Sequence, residues 1–214
     1  MASFRLSSRA EWLIARKIIY YILPRTNCPS SLSKIDIFKT VNTITMVQLK
    51  PLKSEHIADV LRIQDYCYTE IEPESRESLQ AKILASPSTC LIAESSEGPV
   101  GYLIAVPIAY PHLPTLNAPT FELSADADTL YVHDLAIHGA GRGKGIAQAL
   151  VRASIDAAKR SGLSRACLVA IQNSQSFWEQ FGFETVAVAE PADKLKPKLA
   201  SYGADAQLMR ASLK

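Results

Sequence analysis

The chain lacks the features that define several protein classes. Its four cysteines form no CxxC pair, which argues against a zinc or redox site and a disulfide scaffold and favours a reducing compartment. No apolar run reaches the roughly 18 to 20 residues that cross a bilayer. Neither sign of charge dominates, since 23 Lys and Arg oppose 21 Asp and Glu, so no nucleic-acid partner is predicted. With 48% hydrophobic residues, the composition is that of a globular protein.

Most of the basic charge lies in residues 1–45. Seven Lys or Arg against two acidic residues give this segment +5 within a chain whose net charge is +2. Residues 10–23 are amphipathic and could form a short helix before Pro24. Three interpretations stay open: an organelle transit peptide, a helix lying on a membrane surface, or a mis-assigned start. The last is favoured because ordered patterning begins at Met46; a cytoplasmic location is then expected, or a mitochondrial one if the transit peptide is genuine.

Hydrophobic patterning predicts one mixed α/β domain over residues 46–214. Alternation predicts strands at 46–52, 90–94, 100–106, 130–137, 166–171, 183–189 and 206–211. Helical spacing predicts helices at 54–68, 75–84 (with Leu79, Ile83 and Leu84 inward), 146–161 and 174–181. The strand, helix and strand from 130 to 171 form a parallel crossover, and the strands flanking residues 96–99 form an antiparallel hairpin. Residues 107–128 are predicted to be a long loop that walls the substrate site.

Residues 138–147, His-Gly-Ala-Gly-Arg-Gly-Lys-Gly-Ile-Ala, indicate a phosphate-binding loop. Glycines permit positive φ and close approach of a ligand to backbone N–H groups. The loop precedes a predicted helix, whose first N–H groups are unpaired and lie at the positive end of the helix dipole. A nucleotide P-loop is excluded because Gly145 follows Lys144, and a dinucleotide fingerprint is excluded because no early βαβ unit precedes the loop. The alternative is a glycine-rich turn that binds nothing.

Three motifs resemble the GNAT superfamily of N-acetyltransferases. Arg142-x-x-Gly145-x-Ala147 resembles its acetyl-coenzyme A signature, and His133-Asp-Leu-Ala-Ile-His138 resembles the strand before it. The later motif, an Asn that begins a short helix ending in Gly-Phe, is similar to residues 173–183. The strand histidine and Phe-Trp-Glu-Gln-Phe-Gly-Phe are most similar to the arylalkylamine N-acetyltransferase group. The resemblance implies a mostly antiparallel central sheet with a splayed parallel strand pair and flanking helices.

The resemblance also implies how acetyl-CoA is bound. The pyrophosphate would be held by the main-chain N–H groups of Arg142, Gly143, Lys144, Gly145, Ile146 and Ala147. The pantetheine arm would pair with the exposed backbone of Leu135, Ala136 and Ile137 on the splayed strand, with Asn173 helping to position it. An unpaired strand edge is costly unless a ligand supplies partners. Acetyl-CoA is therefore the expected cosubstrate, and no metal is expected.

Acetyl transfer to an amine needs a proton acceptor, because an alkylammonium with a pKa near 10.4 has no lone pair for attack. His133 is the predicted base, since histidine titrates near 6.5 and this position matches a histidine of a water-mediated proton relay in the arylalkylamine group. A packed strand histidine is the alternative. Alternation places Tyr131 on the same face of the strand as His133 and Asp134 on the opposite face, unless a bulge intervenes. The arylalkylamine group has a second histidine at the position of Tyr131.

Many superfamily members protonate the leaving thiolate with a tyrosine four residues before the glycine of Gly-Phe. Here that position holds Trp178, and an indole cannot act as this acid. Either the thiolate leaves unassisted, or Tyr131, Ser174 or Ser176 substitutes, or catalysis is weak. Cys167 is expected to be a buried strand residue because transfer in the superfamily is direct.

The acceptor is expected to bind between residues 68–74 and residues 107–120, where Tyr68 offers an aromatic ring and Glu70 or Glu72 could attract a cation. The predicted function is transfer of the acetyl group of acetyl-CoA to a small primary amine by direct attack in a ternary complex. The alternatives are a protein N-terminal or lysine acetyltransferase and a non-catalytic acetyl-CoA-binding module. We expect no stable membrane association, and a monomer or a homodimer.

Overall fold

The computed structural model describes residues 47–68, 73–171, 173–186, 195–203 and 205–214, so the predictions for residues 1–45, Glu70 and Glu72 lie outside the described residues. The strands in these ranges are β1 (Gln48–Pro51), β2 (Leu91–Ser95), β3 (Gly98–Ile108), β4 (Thr129–Ile137), β5 (Arg165–Ala170), β6 (Glu184–Thr185) and β7 (Gln207–Ser212). The α-helices are α1 (Ile57–Cys67), α2 (Arg76–Ala85), α3 (Ile146–Arg160), α4 (Gln175–Glu179) and α5 (Lys196–Ala200).

The described strands form one mixed sheet in the order β1-β2-β3-β4-β5-β7-β6. The pairings of β1 with β2, β2 with β3, and β3 with β4 are antiparallel, β4 with β5 is parallel, and β7 pairs antiparallel with both β5 and β6. The helix α3 connects the two parallel strands, as a crossover between parallel strands requires. The predicted mixed, mostly antiparallel sheet with one parallel strand pair is therefore confirmed.

Alternation along β3 divides the core into two apolar layers. Tyr102 and Ile104 belong to the layer formed with α1 and α2, whereas Leu103 and Ala105 belong to the layer that contains the inner face of α3. All four side chains are fully buried, so both faces of the central strand are covered. Strands buried on both faces are continuous apolar runs in the sequence, which explains why β3 and β4 are easily recognised.

The two parallel strands separate part way along their length. Pairing of β4 with β5 runs from Thr129↔Arg165 to Val132↔Leu168, and β4 continues beyond it to Ile137. The remaining residues, His133 to Ile137, extend past the paired part and lead directly to the glycine-rich loop. This separation is the splayed strand pair that the sequence predicts.

Some boundaries differ from the prediction. The strand β3 extends to Ile108, two residues further than expected, and β6 is limited to Glu184–Thr185, with residues 187–194 outside the described ranges. The helix α5 was not predicted, because five residues are too few to establish a periodic pattern. Leu84, expected to face inward, is 64% exposed, since it follows Ile83 by one residue and lies on the outer face of α2.

No helix within the described ranges has both the length and the apolar character needed to span a membrane.

Candidate functional site

The glycine-rich segment after β4 forms an open loop at the N-terminus of α3. It begins with a 3-10 turn at Gly139–Gly141, and Gly143 and Gly145 then have positive φ angles of 70° and 73°. Gly145 is the N-cap, and the first helical hydrogen bond runs from Ala149 N–H to the Gly145 carbonyl. The N–H groups of residues 146–148 therefore precede the helical hydrogen-bond ladder and are available to a ligand.

The two cationic side chains of the loop take different positions. Lys144 is exposed to solvent, whereas Arg142 turns back against the end of α1. The Arg142 Nε donates a hydrogen bond to the Ile137 carbonyl over 3.3 Å, and its guanidinium lies 5.5 Å from the centre of the Tyr66 ring. A side chain at Gly139 would place its Cβ 2.4 Å from the Tyr66 hydroxyl, so the Tyr66 ring would have to shift from its present position. The loop is thereby fixed to α1.

The hydrogen bonds between β4 and β3 show which backbone groups of β4 face away from β3. The His138 N–H donates to the Val100 carbonyl over 2.8 Å. Because backbone groups alternate between the two sides of a strand, the N–H and C=O of Ala136 face β3, and those of Leu135 and Ile137 face the side from which β5 has separated. The predicted pantetheine contact through the backbone therefore falls to Leu135 and to the N–H of Ile137, because the Ile137 carbonyl already accepts hydrogen bonds from Arg142 Nε and Cys67 Sγ.

A β-bulge lies where β4 leaves β5. Pairing with β3 passes from Asp134↔Ile104 to Val132↔Ala105, so His133 is the extra residue. His133 and Asp134 consequently both contact residues of the layer formed with α1 and α2, which is the exception that a bulge was expected to cause. Tyr131 lies beside His133, as alternation predicts, with 5.8 Å between the two ring centres, and a catalytic role for it stays a prediction.

His133 is buried in a charged cluster at the start of α2. Its Nε2 lies 3.0 Å from Oε1 of Glu74, and the other carboxylate oxygen accepts hydrogen bonds from Ser78 Oγ over 2.8 Å and from Lys82 Nζ over 3.1 Å. The side chains of Glu74, Lys82 and His133 are at most 2% exposed. The Nδ1 of His133 is buried and has no hydrogen-bond partner among the described residues.

Tyr131 is joined to the C-terminal part of the chain. Its hydroxyl lies 2.8 Å from that of Tyr202, which follows α5, and both side chains are fully buried. Burial raises the pKa of both hydroxyls well above the ordinary tyrosine value, and the neighbouring Tyr202 hydroxyl raises the pKa of Tyr131 further. Tyr131 therefore remains a protonated hydroxyl at neutral pH, as an acid must before it donates a proton.

Tyr68, the predicted substrate contact, is buried and donates its hydroxyl hydrogen to the carboxylate of Asp134. Tyr102 donates to the other oxygen of the same carboxylate over 2.8 Å. Burial, followed by the negative charge of Asp134, raises the pKa of both hydroxyls well above 10. Asp134 thus anchors the end of α1 to the sheet, and a contact between Tyr68 and an acceptor stays a prediction.

The later motif lies beside the end of β5. Asn173 is exposed, has a positive φ of 58° and precedes Ser174, the N-cap of α4. The Ser174 Oγ and the Trp178 Nε1 are buried and have no hydrogen-bond partner in the described part of the chain. Buried polar atoms without partners are rare in proteins, so these two groups are available to a bound molecule. The contact of Asn173 with the pantetheine arm stays a prediction.

Cys167 is fully buried on β5, and burial raises the pKa of its thiol to about 12, so its predicted structural role is confirmed. The described ranges contain no group of three or more His, Cys, Asp or Glu side chains that could hold a metal ion.

The sequence analysis missed the acidic partner of His133. Ser78 and Lys82 are four residues apart on one face of α2, where the apolar residues Leu79 and Ile83 are also buried, and Glu74 lies one such step before Ser78, just ahead of the helix. Polar residues at this spacing on an inward face were a usable signal. Tyr202 gave no comparable signal, because its contact with Tyr131 joins residues 71 positions apart.

The parts of the site fit acetyl-CoA as a ligand. The loop offers unpaired N–H groups where an anion binds favourably, and the adjoining edge of β4 offers backbone groups to an extended arm. Gly143 and Gly145 have open space where a Cβ would project, so nothing obstructs access to the loop.

Comparison with known proteins gives a family and a fold. The Acetyltransferase (GNAT) family matches residues 57–183. No curated protein matches the sequence significantly.

Several solved structures are similar to this chain. N-acetylglutamate synthase from Neisseria gonorrhoeae, complexed with coenzyme A and N-acetyl-glutamate, has a TM-score of 0.60 and 19% identity; the match covers 79% of this chain and 35% of that one. PaiA N-acetyltransferase from Thermoplasma acidophilum, complexed with coenzyme A, has a TM-score of 0.56 and 15% identity. The match covers 78% of this chain and 99% of that one. Ribosomal-protein-S18-alanine N-acetyltransferase from Escherichia coli has a TM-score of 0.54 and 13% identity. The match covers 79% of this chain and 95% of that one. At such identities the likeness establishes the fold.

Proposed function

Because this chain belongs to the acetyltransferase (GNAT) family, it is an acetyl-CoA-dependent N-acetyltransferase, and we propose that its acceptor is a primary amine on a small molecule. We further propose that the amine attacks directly while both substrates are bound. The observation that carries this proposal is the position of His133, a buried histidine on the bulge where β4 separates from β5. It places an imidazole, which can accept and release a proton, at the point where the two parallel strands separate.

The binding of acetyl-CoA is assigned to the chain's own backbone. The Arg142 N–H, which was also predicted to bind the pyrophosphate, donates instead to the Gly139 carbonyl over 3.2 Å. The N–H groups of residues 143–147 therefore bind the pyrophosphate, and Leu135 and Ile137 bind the pantetheine arm along the edge of β4. The four residue steps from His133 to Ile137 span about 13 Å of strand. The loop and His133 therefore lie at opposite ends of this edge. Acetyl-CoA supplies the acetyl group as a thioester at the His133 end.

His133 removes the proton that blocks attack. A primary amine is mostly an ammonium at neutral pH, so a base has to take one proton before the nitrogen lone pair is available. His133 lies within a buried region, and a base held there acts without competition from bulk water. Tyr131, beside His133, is the group proposed to return a proton to the leaving sulfur; because a thiol ionises near 8.5, this assistance is modest.

An assay of thiol release tests the proposal. Purified protein and acetyl-CoA are mixed with alkylamines, arylalkylamines, polyamines, amino acids and peptides, and free coenzyme A is measured. Thiol release stimulated by a small amine supports the proposal, and acetylation of that amine is verified by mass spectrometry. If coenzyme A binds in calorimetry but none of the acceptors stimulates thiol release, the chain is a non-catalytic binding module.

A protein acceptor is the second candidate. The similarity to the ribosomal-protein-S18-alanine N-acetyltransferase favours it, since that protein acts on an N-terminal alanine. Competition between acceptors distinguishes the two: peptides with a free N-terminus would have to give a higher kcat/KM than every small amine for this candidate to replace the first.

A further inference from the structure

In the charged cluster around Glu74, each oxygen of the carboxylate has a defined polar neighbour. Lys82 Nζ donates to Glu74 Oε2 over 3.1 Å, to Ser78 Oγ over 2.7 Å and to the Ser78 carbonyl over 3.2 Å, which uses its three protons. The Ser78 hydroxyl donates a hydrogen bond to Glu74 Oε2 over 2.8 Å. Both donors therefore face Oε2, and Oε1 is directed at His133.

The backbone of Glu74 is held as firmly as its side chain. The Gln64 amide donates to the Glu74 carbonyl and accepts from the Glu74 N–H, each over 3.1 Å, and Gln64 is fully buried. Ser75, the next residue, caps α2 by accepting a hydrogen bond from the Ser78 N–H over 3.3 Å. The backbone of Glu74 is thus fixed to α1, and its carboxylate cannot turn away from His133 without breaking its bonds to Ser78 and Lys82 on α2.

Stability alone does not account for this arrangement. A buried ion pair rarely stabilises a fold more than apolar side chains of the same volume, because removing both charges from water offsets their attraction. The same space filled by apolar residues would hold α2 against the sheet equally well. The feature that only a carboxylate supplies is an acceptor aimed at one nitrogen of the imidazole.

That acceptor decides which nitrogen of His133 carries the proton. An ionised carboxylate accepts hydrogen bonds but has none to donate, so the neutral imidazole bonded to it must carry its hydrogen on Nε2. The lone pair is then on Nδ1, the buried nitrogen that has no partner among the described residues. A buried acceptor without a donor is costly, and the N–H of an incoming ammonium or of a water bound to it is a suitable donor.

We propose that Glu74 is a positioning residue, which fixes the Nε2–H tautomer of His133 so that Nδ1 takes the proton from the acceptor amine. This inference rests on the proposed role of His133 as the base. In the step itself the N–H bond of the ammonium breaks, its electron pair stays on the amine nitrogen, and the proton forms a bond to Nδ1. The resulting imidazolium keeps its Nε2–H directed at Glu74, which offsets the new positive charge.

The tautomer is measured without any turnover. The full chain is labelled with ¹⁵N-histidine, and the ring nitrogens are observed by NMR at a pH where His133 is neutral. The sequence has four histidines, and the signals that disappear in H133Q belong to His133. We expect a protonated Nε2 and an unprotonated Nδ1. A neutral His133 that carries its proton on Nδ1 overturns the inference even if the protein acetylates amines.

The E74Q variant reverses the arrangement. Because Ser78 and Lys82 both donate toward the position of Oε2, the amide oxygen of the glutamine has to face them, and its NH₂ group faces His133. Nε2 must then accept, which moves the proton to Nδ1. We expect the reversed tautomer in the spectrum and a fall in kcat of about 10²- to 10⁴-fold, with little change in KM.

Two further variants separate positioning from support of the fold. E77Q removes an exposed carboxylate from the first turn of the same helix and should change neither the tautomer nor kcat. E74D keeps a carboxylate on a shorter side chain and should retain the Nε2–H tautomer and restore part of the turnover. If E74Q folds, keeps the Nε2–H tautomer and still loses turnover, Glu74 acts in another way and the inference is wrong.

Failure of the inference and failure of the proposed function give different results. If no amine stimulates thiol release although His133 has the Nε2–H tautomer, the proposed function is wrong and the site does not transfer a proton. Thiol release that is unaffected by E74Q contradicts only the role of Glu74.

Discussion

The Nε2 of His133 lies 3.0 Å from Oε1 of Glu74, across the boundary between the central sheet and α2. The two residues are 59 positions apart in the chain, and both side chains are buried. This contact connects the strand that leads to the glycine-rich loop with the segment that precedes α2. The histidine proposed as the base is therefore joined to the segment that begins α2.

Replacement of His133 by glutamine should remove the base and retain most of the side-chain volume. We expect H133Q to lower kcat near neutral pH by about 10²- to 10⁴-fold. Turnover should partly recover at alkaline pH, because more of the amine is then already deprotonated. Steady-state kinetics from pH 6 to pH 10 measure this, and calorimetry should find coenzyme A binding unchanged. His56 lies at the start of α1, away from the cleft, and H56Q is the matched control; equal pH profiles for H133Q and the wild type would exclude His133 as the base.

Gly145 is expected to be needed for coenzyme A binding because it turns the loop into α3. Its φ of 73° disfavours any side chain, so G145A should cost roughly 1 to 2 kcal/mol of conformational energy and weaken coenzyme A binding by about tenfold or more. Gly162, at the other end of α3, has a φ of 82° and equally open surroundings. The control G162A should lower the melting temperature to a similar extent with no change in the dissociation constant. Equal affinities for both variants in calorimetry would argue against the loop as the pyrophosphate site.

The pair of buried hydroxyls tests whether Tyr131 acts as an acid. Either single replacement, Y131F or Y202F, leaves one buried hydroxyl without its partner and should destabilise the protein by about 1 to 3 kcal/mol. The double variant removes both groups and should recover part of that loss. If Tyr131 returns the proton to sulfur, Y131F lowers kcat and Y202F does so much less. Urea unfolding and steady-state kinetics on the three variants measure both effects, and equal kcat values for the two single variants would assign the pair to the fold alone.

Lys198 on α5 predicts a pH dependence of stability. Burial, and next the positive charge of Lys82, lowers the pKa of this half-buried lysine from 10.5 to about 8. Below pH 8 Lys198 is charged in both the folded and the unfolded chain, so the full free-energy cost of burying its charge opposes folding. Between about pH 8 and 10.5 the unfolded chain binds more protons than the folded one, and stability rises with pH.

The variant K198M should therefore be more stable than the wild type at pH 7, and this gain should decrease by pH 10. Urea unfolding at the two pH values measures the difference. K159M, which replaces an exposed lysine near the end of α3, is the control, and its effect should be similar at both pH values. A gain for K198M that is the same at pH 7 and pH 10 would contradict the depressed pKa.

The sequence by itself determined the order of the main elements and the nature of the cofactor site. Strands β3 and β4 are continuous apolar runs, and the four glycines between His138 and Ile146 have few physical explanations other than a tight loop at a helix start. Both signals are local, since hydrophobic periodicity and the conformational freedom of glycine depend on neighbouring residues. His133 was predicted to be the base from its place on one strand and from the resemblance of that strand to the arylalkylamine group.

Only the tertiary structure decided what surrounds that histidine. The bulge at His133 arises from the pairing of β4 with β3, and it brings Asp134 to the face where alternation did not place it. Glu74 and Tyr202 reach the site from segments that are distant in sequence, through contacts that form only when α2 and α5 pack against the sheet. The energy of a hydrogen bond between distant residues depends on the folded arrangement of the whole chain, and no spacing along one segment encodes it.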